Sequence, residues 1–378
     1  MTIQFSFHPN VYATGESKGL IHMLEQVWVR EHKPGDGTLY IVSGFGNHNG
    51  AVRFLETFKH HVDAGGKVVS IFAGSPSQRL TSRQLVEAML KAGASVNLVN
   101  RKRLLHAKCY GATRTSGENL VVTSGNFTGP GMGLNVESSV LLPSPMLQEI
   151  GFSWSKVIDS LLVQQTWDVY QPLLTDMAAP AWKLLYDEYD HELRLDESEE
   201  TTLLVLLGHA DTARVQAGPG TDEGKGSQYF WLSRDCYGFF PPLTIRNVRG
   251  YKATFSCLIR LKYIDLGGTV DEKCRVTFEA ENNLDFRFGT GPLRHTKLAK
   301  PGDIAAISRV GERDYELRIL RSETAEHVAL SVHLVNVIGH QGKRYGFVDN
   351  AVFSEIIRVQ IGEKTKRLGI RRSKPEPS

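Results

Sequence analysis

The chain has 378 residues, enough for two domains with separate cores. Its hydrophobic and charged fractions, 41% and 22%, are those of an ordinary water-soluble globular protein. It has no apolar run of the roughly 18 residues a membrane helix needs, which argues against a membrane-spanning class.

The first residues, Met-Thr-Ile-Gln-Phe-Ser-Phe-His, lack a basic segment followed by an apolar one, so no signal peptide and a cytoplasmic location are expected. Cys109, Cys236, Cys257 and Cys274 form no Cys-x-x-Cys pair. That spacing supports neither structural zinc nor a disulfide framework, and reduced thiols are expected. The net charge of +3 hides an asymmetry. From Gly218 to Ser378 there are 26 Lys+Arg and 19 Asp+Glu, while the remainder is acidic. A basic C-terminal part fits a polyanion-binding module joined to something else.

In chain order, Thr38–Ser43 reads as a strand, 51–64 as an amphipathic helix and Lys67–Ala73 as a second strand. Residues 81–92 read as a helix with Thr81 as its N-cap, and 95–99 as a third strand. This alternation predicts an α/β domain with a mixed, mainly parallel sheet flanked by helices. Residues 104–110, 120–124 and 136–142 then read as strands without intervening helices. Helices are expected over 146–164 and 181–189, and one more strand over 203–207. Residues 187–200 are strongly acidic and 218–226 are Gly-rich. The expected division is therefore a catalytic domain over 1–195, a linker over 196–226 and a second domain over 227–378. The second domain is predicted all-β, with strands over 254–263, 274–279, 304–310 and 315–320 separated by turn signals such as Pro301-Gly302-Asp303. The tail over 364–374 is basic.

The chemistry-bearing stretch is Leu105-His106-Ala107-Lys108, then Thr123-Ser124-Gly125-Asn126, then Asn135-Val136-Glu137. On a strand, His106 and Lys108 would share a face, and Ser124 and Asn126 would repeat that geometry beside them. An imidazole can attack phosphorus or donate a proton near neutral pH. An ammonium and an amide can stabilise charge on phosphoryl oxygens, and a carboxylate can orient an imidazole. No Asp/Glu/His metal cluster is evident, so no metal cofactor is expected.

This pattern resembles the signature of the phospholipase D superfamily. The resemblance implies that His106 is the nucleophile of a covalent phosphohistidine intermediate. It also implies that Lys108 and Asn126 bind phosphate, that Ser124 supports the site and that Glu137 orients a histidine. Thr113 stands where many members carry Asp. Only one copy of the motif is present, whereas the chemistry needs two imidazoles. Single-motif members dimerise, so a homodimer with one shared active site is inferred. Asn47-His48-Asn49, after the first strand, is a further candidate group, either lining the pocket or capping a helix.

The stretch from Asp285 to Asp303, ending Lys297-Leu-Ala-Lys-Pro-Gly-Asp303, resembles the core of the plant B-three DNA-binding pseudobarrel, with one extra residue before Gly-Asp. The combined layout resembles restriction endonucleases of the BfiI and NgoAVII type. That resemblance implies double-stranded DNA as substrate and, in the NgoAVII layout, a separate helicase-like ATPase subunit. The chain itself has no Gly-x-x-x-x-Gly-Lys-Ser/Thr loop. Candidate DNA-binding residues are Arg234, Arg246, Asn247, Arg249, Arg287, Arg294, His295 and Lys297. Trp231, Phe239 and Phe240 are expected in the core. The rival readings are a lipid-directed phospholipase D and a non-catalytic DNA-binding protein. The acidic residues 187–200 suggest either a solvated linker or a DNA mimic resting in the catalytic cleft.

Overall fold

The computed structural model describes residues 3–8, 19–101, 104–163, 168–190, 201–249, 252–279, 286–338 and 343–367. The chain forms two compact units. The first comprises Met1–Arg194, Leu232–Cys257 and Arg275–Arg287, and the second Leu195–Trp231, Leu258–Cys274 and Phe288–Ser378. Among the described residues, no helix is long and apolar enough to cross a membrane.

The first unit is built on an eight-stranded sheet. Its strands are β1 (Gln4–His8), β2 (Thr38–Ser43), β3 (Lys67–Ala73), β4 (Ser95–Asn100), β5 (Lys108–Arg114), β6 (Gly117–Thr123), β7 (Glu137–Leu142) and β8 (Asp168–Tyr170). The spatial order is β1-β7-β6-β5-β2-β3-β4-β8. Only β2–β3 and β3–β4 are parallel. The other five neighbouring pairs are antiparallel. The sheet is therefore mixed but not mainly parallel. Parallel pairing needs a helical crossover, and only the connections from β2 to β3 and from β3 to β4 supply one. The two residues between β5 and β6 allow only a hairpin.

Helices α1 (Leu20–Glu25), α2 (His48–Ala51), α3 (Leu55–Asp63), α4 (Arg83–Lys91), α5 (Ser144–Glu149) and α6 (Trp154–Leu162) complete this part. The cap of α4 is Ser82, whose Oγ accepts from Leu85 N at 3.1 Å, rather than Thr81. The Thr81 hydroxyl instead donates to Ala73 O at 2.7 Å. The helix expected over 146–164 is two helices, α5 and α6, with Gly151 between them in the left-handed region at φ 66°; residue 164 lies outside the described residues. Residues 181–189 hold only a short 3-10 turn, Pro180–Leu184.

Two tryptophans anchor the core against the hairpin of β5 and β6. Trp28 Nε1 donates to Gly111 O at 3.0 Å and its ring meets Phe54 edge-on at 5.0 Å. Trp154 Nε1 donates to Asn119 O at 2.8 Å, and its ring stacks on Tyr40 at 4.8 Å. Each indole thereby places its polar edge on a sheet carbonyl while burying its apolar body.

In the second unit, strand Thr201–Leu206 pairs antiparallel with both Ile304–Arg309 and Lys343–Asp349. Asp314–Leu320 lies antiparallel beyond Ile304–Arg309. Leu204, Ile304, Leu330, Phe353 and Ile357 share its core, the last two from helix Asn350–Arg367. The interval expected as linker thus contains this inner strand and helix His209–Gln216. The apolar run Leu203-Leu204-Val205 is fully buried, which no solvated linker would allow. The turn Pro301-Gly302-Asp303 is fastened by its carboxylate, which accepts from Lys300 N and Ser322 N, each at 2.9 Å. Residues 368–374 of the basic tail lie outside the described residues.

Candidate active site

His106 lies just before β5 and Ser124 just after β6, not within the strands as the two-residue alternation suggested. The antiparallel register explains why they still meet. Cys109 pairs with Val122, so the start of β5 and the end of β6 lie at one end of the sheet. Glu137, the first residue of β7, joins them, because Ser139 pairs with Thr123.

The segment before β5 is held by Gly44, whose N donates to Ala107 O at 3.1 Å. A Cβ on Gly44 would stand 2.5 Å from Leu105 O, so only glycine permits this approach. The Ser43 hydroxyl donates to Phe45 O at 2.7 Å and accepts from Phe127 N at 3.0 Å. Tyr110 OH donates to Gly125 O at 3.0 Å. Burial of this phenol raises its pKa, so it stays a neutral donor. These bonds, none evident in the motif itself, fix the Ser-Gly-Asn segment. The sequence signal for them was slight: Ser43 closes the apolar run of β2, and Tyr110 stands among the mixed residues of β5.

At the site, Lys108 Nζ lies 3.0 Å from Nε2 and 3.2 Å from Nδ1 of the exposed His106 ring. Phe45 meets that ring edge-on at 6.2 Å. Desolvation lowers the Lys108 pKa, and the charge of Glu137 partly opposes the shift. Glu137 accepts from the Ser124 hydroxyl and, at 3.2 Å, from Asn135 Nδ2. Ser124 Oγ in turn accepts from Ser138 N at 3.0 Å. Asn126 Oδ1 is buried and has no hydrogen-bond partner among the described residues. Thr113 donates to Glu118 at 2.9 Å within the β5–β6 hairpin, a structural use of that position.

One imidazole, one ammonium, one amide and one carboxylate therefore converge on one sheet end. Among the described residues, no group of three or more His, Cys, Asp or Glu side chains could hold a metal ion.

The segment Asn47-His48-Asn49 is structural. Asn47 Oδ1 caps α2 by accepting from Gly50 N at 3.1 Å, and it also accepts from Gly129 N at 2.9 Å. Asn49 Nδ2 donates to Tyr237 O and Phe240 O at 3.1 and 3.0 Å, and its Oδ1 accepts from Leu243 N at 3.0 Å. His48 is buried, which lowers its pKa, and its backbone N donates to Glu188 at 2.7 Å. Ser82 also donates to Glu188. Burial raises the Glu188 pKa to about 7. Asp187 accepts from Gln84, and Asp190 lies 3.8 Å from Arg79. This part of the acidic stretch is thus tied to neighbouring side chains; residues 191–200 lie outside the described residues.

The candidate DNA-binding residues divide into two groups. Arg234 bonds Glu25 at 2.8 Å, Arg246 grips Glu56 at 2.7 and 3.0 Å, and Arg287 bonds Glu279 at 2.8 Å. These three are engaged within the first unit. Asn247 is exposed on strand Ile245–Arg249, and the Arg249 side chain lies outside the described residues. Arg294, His295 and Lys297 belong to one turn of the second unit. His295 and Lys297 have φ of 64° and 59°, which costs a non-glycine residue about 1 kcal/mol or more. Phe239 and Phe240 are buried as expected, whereas Trp231 is half-exposed.

Residues 195–360 match the family described as "Metal-independent restriction enzyme BfiI DNA binding domain". The BfiI-type match begins at residue 195, so it takes in the strand and helix of the expected linker. No curated protein matches the chain. Among solved structures, the phospholipase D family member Nuc from Salmonella typhimurium is 14% identical, with a TM-score of 0.32 over 45% of this chain and 99% of its own. NucT from Helicobacter pylori is 13% identical, with a TM-score of 0.29 over 42% of this chain and 96% of its own. Polyphosphate kinase from Porphyromonas gingivalis is 12% identical, with a TM-score of 0.31 over 51% of this chain and 26% of its own.

Proposed function

We propose that this protein is a restriction endonuclease whose N-terminal part hydrolyses DNA phosphodiesters without metal. The observation that carries the reading is the convergence of His106, Lys108, Ser124, Asn126 and Glu137 in a chain that also bears a BfiI-type DNA-binding domain. Residues 1–195 cut and dimerise, and the β-rich remainder, folded as a pseudobarrel, reads sequence.

A ring nitrogen of His106 attacks phosphorus, forming a P–N bond as the P–O bond to the leaving strand breaks. The leaving oxygen takes a proton from the same histidine of a second copy, which enters as imidazolium. Water then attacks phosphorus, the P–N bond breaks, and the neutral second imidazole takes the proton of the water. Lys108 and Asn126 hold the phosphoryl oxygens throughout. Within one chain Glu137 is engaged by Ser124 and Asn135, so the histidine it orients is that of the second copy. One site per homodimer cuts the two DNA strands in succession. Any ATP use falls to a separate helicase-like subunit.

The test is plasmid cleavage in excess EDTA by the wild type beside His106→Ala. The reading requires cleavage by the first and a loss of at least about a thousandfold in the second. Cleavage abolished by EDTA would overturn the metal-free mechanism.

A further inference from the structure

His295 and Lys297 are the two non-glycine residues in the left-handed region among the described residues. The backbone there is locked from several sides. His295 N donates to Arg214 O at 3.0 Å and Lys297 N to Val215 O at 2.9 Å, at the end of helix His209–Gln216. His295 Nδ1 donates to Ala217 O at 2.8 Å. Glycine or asparagine would adopt these dihedrals at lower cost. Lysine at 297 is therefore a poor choice for folding, and its exposed ammonium has no partner among the described residues. Strain retained where the surroundings over-determine it is a pointer to function.

The neighbouring groups supply a second, independent observation. Arg294 donates to Gly224 O, and Arg214 Nε donates to Lys225 O at 2.8 Å. The Arg214 guanidinium lies 5.7 Å from the centre of the Tyr229 ring, which meets Trp231 edge-on at 5.0 Å. Tyr229 and Trp231 are half-exposed, while Phe230 and Leu232 of the same strand are buried. Of the carboxylates in this cluster, Asp222 is paired with Lys225 at 2.6 Å and Glu223 is exposed. Cations beside outward aromatic edges form a surface suited to a sugar–phosphate backbone.

We propose that the strained turn at 294–297 holds Lys297 against a DNA backbone phosphate, with Arg294 and Arg214 beside it. The proposal rests on the reading of residues 195–360 as a DNA-binding domain. It identifies Lys297 as a residue kept for binding at the expense of stability.

The experiment compares full-length wild type, Lys297→Gly and Lys297→Ala for affinity toward a short random-sequence duplex across a salt series, and for thermal stability. Lys297→Gly should melt higher than wild type yet bind about tenfold more weakly, with a salt slope reduced by about one ion. Lys297→Ala should lose the same affinity without the gain in melting temperature. A Lys297→Gly protein that binds like wild type with the same salt slope overturns the phosphate contact, and one that melts lower overturns the strain argument. A wild type that binds no duplex would instead remove the domain reading beneath both.

Discussion

Lys108 Nζ sits 3.0 Å from His106 Nε2, so the group proposed to hold the phosphate and the group proposed to attack it are in direct contact. An ammonium has protons to give and no lone pair. The His106 ring nitrogen therefore accepts, so its lone pair is directed at the Lys108 ammonium and becomes available to phosphorus only when a phosphoryl group takes over Lys108.

That contact carries a pH prediction. Desolvation lowers the Lys108 pKa from its ordinary 10.5, so the ammonium is lost earlier as pH rises. Cleavage should fall on the alkaline side below pH 10.5. Lys108→Arg should move that limb upward, and Lys108→Ala should cost about a hundredfold to a thousandfold in rate. A pH–rate profile with the same alkaline limb in Lys108→Arg would exclude Lys108 as its source.

Glu188 makes the opposite kind of statement. Its pKa is raised from 4.5 to about 7 chiefly by burial, so the folded state binds its proton more tightly than the unfolded state. Its contribution to stability is present below pH 4.5 and is lost as pH rises through about 7. Glu188→Gln should melt higher than wild type at pH 8, and the difference should vanish toward pH 5. An equal shift at both pH values would show that ionisation is not the cause.

His32 works in the reverse direction. His32 Nε2 lies 2.8 Å from His61 Nδ1, and burial first, then the charges of His61 and Arg114, depress the His32 pKa to about 4. A basic group with a depressed folded pKa stabilises above its unfolded value of 6.5, and that stability is lost as pH falls toward 4. Replacing it by Gln should flatten the stability curve between those values in denaturant titrations, whereas an unaltered slope would rule the pair out as its origin.

Asn49 should be among the more sensitive polar positions. Its amide closes four backbone bonds to the segment 237–243. Asn49→Ala leaves buried carbonyls and an N–H unpaired, at about 1–3 kcal/mol for each group stranded. Urea unfolding should show a total loss of about 3 kcal/mol, and a loss below about 0.5 kcal/mol would mean water replaces the amide.

Arg234 separates folding from recognition. Its side chain is 16% exposed and shares Glu25, itself 1% exposed, with Arg53 at 2.7 Å. Arg234→Met should cost about 3 kcal/mol in stability, because a buried carboxylate loses one of its two shortest ion pairs and keeps Arg53 and the more distant, exposed Arg30. DNA affinity should be unchanged at temperatures where the variant is folded. A gel-shift loss there would return Arg234 to the DNA-binding set.

The proposed catalytic constellation was legible in the sequence because the chemistry proposed for it depends on residue types at short, fixed spacings. His106, Lys108, Ser124, Asn126 and Glu137 are named by such a pattern without knowledge of any contact. The strands β2, β3 and β4 were legible because apolar runs and the helices between them are local properties. What the side chains touch was decided only by tertiary structure. Arg234 and Arg246 look like free surface cations until Glu25 and Glu56, about 200 residues earlier, are brought to them. The strand Thr201–Leu206 is legible as an apolar run, but only its partners, about 100 and 140 residues later and pairing with it on both edges, place it inside a sheet rather than in a linker. Sheet direction followed the same rule, since antiparallel pairing outside the helical crossovers depends on chain return rather than on any residue's preference. The sequence by itself determined the proposed reactive groups, because spacing along a strand pair carries them to one end of the sheet. Only the fold decided which charges are taken up by internal ion pairs, because ion pairing depends on distance in space.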